Sequence, residues 1–175
     1  MRPSAIKRYV GRVTATPPDL ESFVAAFAQG WALDRGPEAF IEFFEARWID
    51  PEVVLRQPLL PTETGHDGFR RFARQAFALL PDLHIEVTEW HPHADGVSIS
   101  LAYTATLGTT PISTSGTDVI RLRNNRIVRR DATLRLAPLF RAAARDRTAA
   151  LHLAKWLLNI GRGHVRVARQ WAARG

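Results

Sequence analysis

Apolar residues recur at helical spacing in three stretches of the first half of the chain. Between Pro18 and Trp31 they are separated by three and four positions, and similar spacing covers residues 36–50 and 69–80. Residues at these intervals share one face of a helix. The pattern therefore predicts three helices with apolar, aromatic-rich faces, and a loop over residues 61–68 before the third.

The chain changes to a period of two after residue 82. Apolar and polar residues alternate over residues 83–90 and again over residues 97–108, where the polar positions are mostly Ser and Thr. Successive side chains of a strand point to opposite faces, so strict alternation is typical of a strand with one buried face. We predict two strands here and a shorter one at residues 53–59.

Two further alternating runs flank Asn124-Asn125 and predict a hairpin over residues 116–135. Asparagine tolerates positive φ, so the pair suits the two-residue type I′ turn that matches strand twist. With these residues as the loop, Asp118 stands opposite Asp131. One face then carries Asp118, Ile120, Leu122, Ile127, Arg129, Asp131 and Thr133, and we expect it to face the interior. The other face carries four arginines and is expected to face water.

These elements predict an α+β fold, in which the helices lie on one face of an antiparallel sheet. Beyond Pro138, apolar residues return to helical spacing, with an interruption at Gly161–Gly163. We predict a C-terminal helical extension that packs a stripe of Leu151, Ala154 and Leu158, widened by Leu153 and Leu157, on the body or on a second subunit. The chain then divides into a basic N-terminal arm (1–17), an α+β domain (18–140) and a basic helical extension (141–175).

The composition is that of one domain with a sizeable core, with 175 residues of which 46% are apolar. The absence of cysteine excludes disulfides and Cys-ligated metal sites, and it fits a reducing cytoplasm. No apolar run approaches the roughly 20 residues of a membrane span. The basic N-terminus lacks the apolar centre of a signal peptide. We expect a cytoplasmic protein with a loose N-terminal arm.

The net charge of +7 is concentrated at one end of the chain. Residues 139–175 carry eight Lys and Arg against Asp146 alone, so the remainder is neutral overall. A basic amphipathic helix can pack on protein, lie on an anionic membrane or bind nucleic-acid phosphates. Because Trp171 is the only aromatic residue among the last arginines, base stacking has little support. We rank packing first, membrane contact second and nucleic acid last.

The order of the predicted elements and two motifs resemble the nuclear transport factor 2-like superfamily. The motifs are LLPDLHIEV at residues 79–87 and GTDVIRLRNNRIVRRD at residues 116–131. The similarity is to its SnoaL-like polyketide cyclase branch and covers residues 18–140. It implies a curved sheet wrapped around the three N-terminal helices as a cone, whose open end is the ligand pocket. In such cyclases an Asp of the last strand is the proposed general acid/base, and Asp131 matches it. The Arg and Asp that related epoxide hydrolases carry on an earlier strand are missing from residues 101–108.

The candidate acid/base group is the pair Asp118 and Asp131, with Arg129 on the same face. Two neighbouring carboxylates repel, so one of them should keep its proton at a raised pKa. A neutral acid beside a carboxylate can perform general acid/base catalysis, with Arg129 tuning the charge. The alternative is a structural cluster in which Arg129 neutralises both acids.

The candidate pocket residues are aromatic: Tyr103 on the apolar face of its strand, and Trp31, Phe44 and Trp48 on the helices. Trp48, near the end of its helix, is the strongest of these candidates. The histidines at positions 66, 84, 91 and 93 lack the spacing of a metal site, and we expect no metal. No phosphate-binding loop, dinucleotide fingerprint, metalloprotease motif or nucleophilic-serine motif is present in the sequence.

The sequence therefore predicts cofactor-free acid/base chemistry in a cone-shaped pocket. The enzyme would be a cyclase, isomerase or dehydratase acting on a hydrophobic polyketide-like or terpenoid-like molecule. The alternative is a non-catalytic binding or assembly module of the same fold. An open apolar cavity reaching Asp131 would favour the enzyme, and a pocket filled by its own side chains would favour the module. We also expect a homodimer.

Overall fold

The computed structural model describes the backbone of residues 7–8, 18–33 and 36–172, and the side chains of residues 20–33 and 36–161. Apart from the two-residue strand β1 (Lys7–Arg8), the predicted N-terminal arm lies outside the described residues.

The three predicted N-terminal helices are confirmed as α1 (Pro18–Trp31), α2 (Gly36–Glu45) and α3 (Gly65–Leu79). Their apolar faces meet in a cluster of aromatic rings. Trp31 lies 4.4 Å from Phe40 between ring centroids, and Phe40 lies 5.7 Å from Phe69. Each helix therefore contributes to one shared aromatic core.

The strands form one sheet in the order β1-β4-β5-β6-β7-β2-β3 within the described residues. Their bounds are β2 (Ile49–Gln57), β3 (Leu60–Thr64), β4 (His84–His93), β5 (Gly96–Leu107), β6 (Thr110–Arg123) and β7 (Arg126–Leu134). The sheet is mixed rather than purely antiparallel, because β2 pairs with β7 in parallel, as β1 does with β4. The α+β class and the cone-like arrangement are confirmed.

Strand β3 replaces the first half of the loop predicted at residues 61–68. Pro58 and Leu59 form the turn of a β2–β3 hairpin, in which Leu59 has a φ of +66°. Proline suits the first central position of such a turn because its φ is fixed. Pro61 is tolerated because β3 is the edge strand. The chain therefore turns at Pro58 and returns as β3 beside the strand predicted at residues 53–59.

The C-terminal extension forms α4 (Ala137–Arg145) and α5 (Arg147–Ala172). Contrary to the prediction, Gly161 and Gly163 do not interrupt α5. The helices build a second core cluster with α3 and the sheet, comprising Leu79, Ala105, Leu107, Ile112, Leu139, Ala142, Ala149, Leu153, Trp156 and Ile160. Packing on the body is thus confirmed.

Of the predicted stripe only Leu153 packs inward, because α5 is rotated relative to the prediction. Ala149, Leu153 and Trp156 are buried, whereas Leu151 and Leu158 keep 62% and 61% of their surface exposed. Two hydrogen bonds fix this rotation of α5: Trp156 Nε1 donates to the carbonyl of Gln75 at 2.8 Å, and His152 Nε2 lies 2.9 Å from the carbonyl of Leu79. Burial of the large Trp156 ring and the hydrogen bond of its N–H together determine which face of α5 packs on the body.

Asp146 connects the two helices of the extension to the sheet. Its Oδ2 accepts hydrogen bonds from the hydroxyls of Thr109 (2.7 Å) and Thr110 (2.8 Å), and its Oδ1 accepts from the backbone N–H of Thr148 at 2.8 Å. These bonds lower the pKa of Asp146 from its ordinary value of 3.8 to about 2. The ionised carboxylate therefore anchors the start of α5.

We expect the anchor to weaken in acid. Since the pKa of Asp146 is lower in the folded state, its contribution to stability is present above pH 3.8 and is lost as the pH falls toward about 2. The urea midpoint of Asp146→Asn should lie below that of the parent chain at neutral pH, and the gap should close across this window. Asp67→Asn, at a carboxylate whose side chain is 81% exposed, is the control. A gap that stays constant in acid would contradict the assignment.

No helix in the described part of the chain combines the length and apolar character required to cross a bilayer.

Candidate functional site

The β6–β7 hairpin starts in the predicted register and then departs from it. Asn124 and Asn125 have φ of +52° and +60°, which confirms the turn. Arg123 pairs with Arg126 and Leu122 with Ile127, but Arg121 pairs with Arg129 because Val128 is an extra residue. Such a β-bulge shifts the later pairing by one position.

The bulge exchanges the two faces of β7, since a shift of one residue turns every later side chain over. Asp118 pairs with Ala132 and Val119 with Asp131, so the predicted pairing of Asp118 with Asp131 is wrong. Arg130 takes the interior position beside Asp118. The expected interior pair of acids is therefore an acid and a base.

Asp131 and Arg129 lie on the opposite side of the sheet from Asp118. Arg129 Nε donates to Asp131 Oδ2 at 2.6 Å, and their side chains are 35% and 36% exposed. The expectation that Arg129 lies between two acids is wrong for the same reason. The carboxylate predicted to be the principal acid/base thus faces away from the interior.

The interior is occupied by a buried ion pair between Asp118 and Arg130. Asp118 is 0% exposed, and its Oδ2 accepts a hydrogen bond from Arg130 Nε at 2.6 Å. The guanidinium carbon lies 5.0 Å from the ring centroid of Phe72 and 5.9 Å from that of Trp31. Burial raises the pKa of Asp118, and the charge and hydrogen bond of Arg130 oppose that rise. The pair therefore combines a basic carboxylate with a fixed cation.

A cavity of about 110 Å³ reaches Arg130 of this ion pair. Its wall is mainly apolar and comes from α3, the sheet and the extension, with Leu60, Phe72, Leu79, Ile85, Ile112, Leu139 and Trp156 among the lining residues. Polar and amphipathic side chains also line it, among them Trp31, Gln57, Tyr103 and Arg130. The predicted apolar cavity exists, but it reaches Arg130 rather than Asp131.

Several buried polar atoms around the cavity have no hydrogen-bond partner among the described residues: Trp31 Nε1, Gln57 Nε2 and Asp118 Oδ1. Gln57 must turn its oxygen to Arg130, which can only donate, and Oε1 lies 3.4 Å from Arg130 Nη1. The amide nitrogen is then left as a free donor. Buried polar groups are normally hydrogen-bonded, so the donors here suit an oxygen of a bound molecule.

Tyr103 is half-buried and projects from the inner face of β5, as predicted. Burial raises the pKa of its hydroxyl, the negative charge of Asp118 raises it further, and Arg130 lowers it. The hydroxyl therefore stays protonated and can act as a hydrogen-bond donor to a molecule in the cavity.

A comparison with known proteins identifies the family of the chain. The family model described as the SnoaL-like domain matches residues 20–130. The chain belongs to the SnoaL-like family. The match ends before α4, so the cavity wall supplied by Leu139 and Trp156 comes from outside the SnoaL-like region.

Solved structures share the SnoaL-like fold at low sequence identity. A protein from Jannaschia sp. CCS1, provisionally classed as a SnoaL-like polyketide cyclase, is 12% identical, with a TM-score of 0.64 over 74% of this chain and 96% of that one. A protein from Acidithiobacillus ferrooxidans, provisionally classed as a polyketide cyclase, is 19% identical, with a TM-score of 0.61 over 73% and 96%.

TerC, co-crystallised with polyporic acid, is 18% identical, with a TM-score of 0.59 over 70% of this chain and 96% of its own. No curated protein matches this SnoaL-like chain.

The other predicted pocket residues of the SnoaL-like domain are divided between cavity and core. Trp31 lines the cavity. Phe44 belongs to the core and borders a void of about 20 Å³ on the far side of Arg130. Trp48 lies in the turn between α2 and β2 rather than at the end of a helix. It packs edge-on against Phe23 at 5.4 Å and is a core residue rather than part of the cavity wall.

Sequence reasoning missed Arg130, Gln57, Phe72 and Trp156 as site residues. Alternation continued through Val128 without a break places Arg130 on the water-facing side. The signal that could have found it is chemical, since a fully buried Asp118 requires a cation nearby. Gln57 is the last residue of β2 and stands immediately before Pro58.

The side chains of residues 20–33 and 36–161 include no group of three or more His, Asp and Glu arranged to hold a metal ion. His93 Nδ1 lies 2.9 Å from Asp95, and His66 Nδ1 lies 3.0 Å from Glu45. Both histidines therefore have carboxylate partners within the fold.

Proposed function

We propose that the chain binds a small, largely apolar molecule through a carbonyl oxygen and transfers a proton at the adjacent carbon without a cofactor. The observation that carries this proposal is an apolar cavity that ends on Arg130, with Asp118 bonded directly behind it. A cyclase, an isomerase or a dehydratase could each use such a step, because each can proceed through an enolate.

The oxygen of the ligand would be held by donors that the fold leaves free. Arginine has five N–H donors, of which Asp118 and Gln57 occupy two. Trp31 Nε1 and Gln57 Nε2 add two further donors on residues that line the same cavity. Donors fixed in advance around a developing oxyanion are worth several kcal/mol in a site that excludes water.

The proton would move from carbon to Asp118. The C–H bond breaks, its electrons form the enolate, and Asp118 Oδ1 gains the proton. Negative charge thereby passes from the carboxylate to the ligand oxygen, and both positions neighbour the guanidinium of Arg130, so no new charge is buried. The raised pKa of Asp118 makes the carboxylate a better base.

Tyr103 would donate a hydrogen bond to the same oxygen. Its hydroxyl keeps its proton because burial and Asp118 both raise its pKa. The family and the fold support this chemistry, since two structural relatives are provisionally classed as polyketide cyclases and TerC was crystallised with polyporic acid. We therefore propose a polyketide-like or terpenoid-like ketone as the natural ligand class.

Deuterium exchange at the carbon next to the carbonyl of a small cyclic enone tests the proposal without knowledge of the substrate. The chain should accelerate exchange in D₂O, as followed by proton NMR. Tyr103→Phe should slow it about tenfold, the equivalent of one hydrogen bond. Asp131→Asn is the matched control and should keep the full rate. Loss of exchange in Asp131→Asn but not in Tyr103→Phe would overturn this arrangement.

A non-catalytic binding module is the second candidate, and one observation favours it. Asp118 is fully buried and, unlike Arg130, is not among the cavity-lining residues. A carboxylate that no ligand can reach would serve only to hold Arg130 in place. This second candidate would be supported if the chain binds a chromophoric phenol, which mimics an enolate, but does not accelerate deuterium exchange of the enone.

A further inference from the structure

Helix α5 has a second apolar stripe on the side away from the body. Leu151, Ala154 and Leu158 are all exposed, with 62% of Leu151 and 61% of Leu158 accessible. At 100° per residue they lie opposite Leu153, Trp156 and Ile160, which pack inward. The contacts that attach α5 to the body therefore leave this stripe uncovered.

Unpaired cations flank the stripe. Arg147 precedes Leu151 by four positions and Lys155 follows it by four, so both lie on the same face. Among the described residues, neither has an ion-pair partner. By contrast, Arg70, Arg71, Arg74, Arg121, Arg123 and Arg129 of the body each contact a carboxylate.

The only acid of the extension cannot neutralise these cations. Asp146 already accepts hydrogen bonds from Thr109, Thr110 and Thr148. The segment 139–175 carries eight Lys and Arg against this one acid, so its formal net charge is +7. An occupant of the stripe must offer negative charge beside an apolar layer.

We propose that α5 docks on an anionic lipid surface through Arg147, Leu151, Ala154, Lys155 and Leu158. The leucines enter the boundary between headgroups and acyl chains, and the cations meet the headgroups, which is how basic amphipathic helices bind membranes. The proposal rests on the exposed face of α5 and does not depend on the proposed catalysis.

Charge and side-chain type distinguish the lipid surface from the other occupants. A second copy of the chain, related by two-fold symmetry, would bring Arg147 and Lys155 against the same cations. A nucleic acid would satisfy the cations but not the two leucines, and it normally stacks its bases on aromatic rings. The described stripe contains leucine and alanine instead.

Docking would place the ligand cavity close to the lipid. The opposite face of α5 supplies Trp156 to the cavity wall, and a helix with its side chains is about 10–12 Å across. An apolar ligand dissolved in the bilayer would therefore be within about one helix diameter of the site.

Co-sedimentation of the full chain with vesicles tests the proposal. We expect binding to phosphatidylcholine vesicles that contain phosphatidylglycerol, weakening as salt is raised, and little binding to phosphatidylcholine alone. Leu151→Ser/Leu158→Ser should weaken binding at least about tenfold, because each buried leucine contributes strongly. Arg147→Gln/Lys155→Gln should weaken it about thirtyfold, since each cation near an anionic surface is worth about 1 kcal/mol.

Two matched controls remove the same groups elsewhere. Val119→Ser removes an exposed apolar side chain from the sheet, and Arg74→Gln/Arg121→Gln removes two charges from the body. Both should bind like the parent chain. The proposal fails if vesicles are not bound, or if the leucine and control variants bind equally. It also fails if duplex DNA displaces the parent chain from the vesicles and Leu151→Ser/Leu158→Ser binds that DNA as well as the parent chain does, which would indicate a nucleic-acid site. It fails as well if the parent chain is a dimer and the leucine variant is a monomer, which would indicate a dimer interface.

Discussion

Replacing Arg130 with methionine should lower the free energy of unfolding by about 3–5 kcal/mol at neutral pH, because it leaves a buried charge without a partner. Asp118 is 0% exposed, and Arg130 is the partner that bonds to its carboxylate. Methionine preserves much of the side-chain volume between Phe72 and Trp31, so lost packing contributes little. Urea unfolding followed by far-UV circular dichroism measures the change.

Arg129→Met is the matched control for this prediction. It removes the same groups from the adjacent residue of the same strand, but Arg129 and Asp131 are each about one-third exposed. Solvent screens such a pair, and exposed pairs contribute little to stability. The urea midpoint of Arg129→Met should stay close to that of the parent chain. Equal losses in the two variants would show that the two arginines occupy similar environments, which would contradict the bulged register.

The loss of unfolding free energy caused by Arg130→Met should depend on pH. The pKa of Asp118 is raised in the folded state above its ordinary value of 3.8, first by burial. The folded chain therefore holds this proton more tightly, and the resulting stability is complete below pH 3.8 and is lost as the pH rises through the folded pKa. Without Arg130 the pKa rises further, so the variant should approach the parent chain as the pH is lowered toward 4. A deficit that does not change with pH would contradict this account.

Joint replacement separates the charge from the packing. Asp118→Leu/Arg130→Met removes both members of the pair and leaves no buried charge. Replacing a buried ion pair with apolar residues is often neutral or stabilising, so the double variant should recover most of the stability lost by Arg130→Met. This result would also indicate that the pair is retained for the site rather than for stability.

The parts of the fold that follow from local rules could be predicted from the sequence. Helical spacing located α1, α2 and α3, and the Asn124-Asn125 pair located the hairpin turn, where both residues have positive φ. In each case the residue types allow few other backbone conformations. Such predictions succeed where the local preference of the residues agrees with their tertiary packing.

The site could not be predicted in the same way, because the decisive feature is a bulge. After Ile127 the strand reads Val128, Arg129, Arg130 and Asp131, so its two faces carry charged residues alike until Ala132 and Leu134, which share the inner face with Arg130. The neighbouring strand settles the choice, since Leu55 of β2 is buried and pairs with Arg130. That contact lies in parallel pairing between distant segments, which alternation within one strand cannot reveal.

The extension was ambiguous for a different reason. Its helix carries apolar residues on two opposite faces, and spacing alone makes the face with Leu151 and Leu158 as suitable as the face with Leu153 and Trp156. A tryptophan can bury about 150–250 Å², and Trp156 also finds the Gln75 carbonyl. The larger buried area and the hydrogen bond select the inward face. The remaining face is then left for a partner.

Asp118→Asn is expected to slow enone exchange by a factor of about 10²–10⁴, the usual contribution of general acid/base catalysis. Asparagine matches the size of aspartate but cannot accept the proton at Oδ1. The variant will also be less stable, since Arg130 is left buried without a counter-charge. Rates must therefore be measured where circular dichroism shows the variant to be folded.

A second measurement distinguishes catalysis from a loss of structure. In the parent chain Asp118 neutralises Arg130, whereas in Asp118→Asn the full positive charge faces the cavity. The variant should therefore bind the anion of a chromophoric phenol more tightly than the parent chain, while its exchange rate falls. A residue that only supports the fold would lower both quantities together. Opposite changes in anion affinity and exchange rate would identify Asp118 as the proton acceptor, and parallel losses would leave it only as the anchor of Arg130.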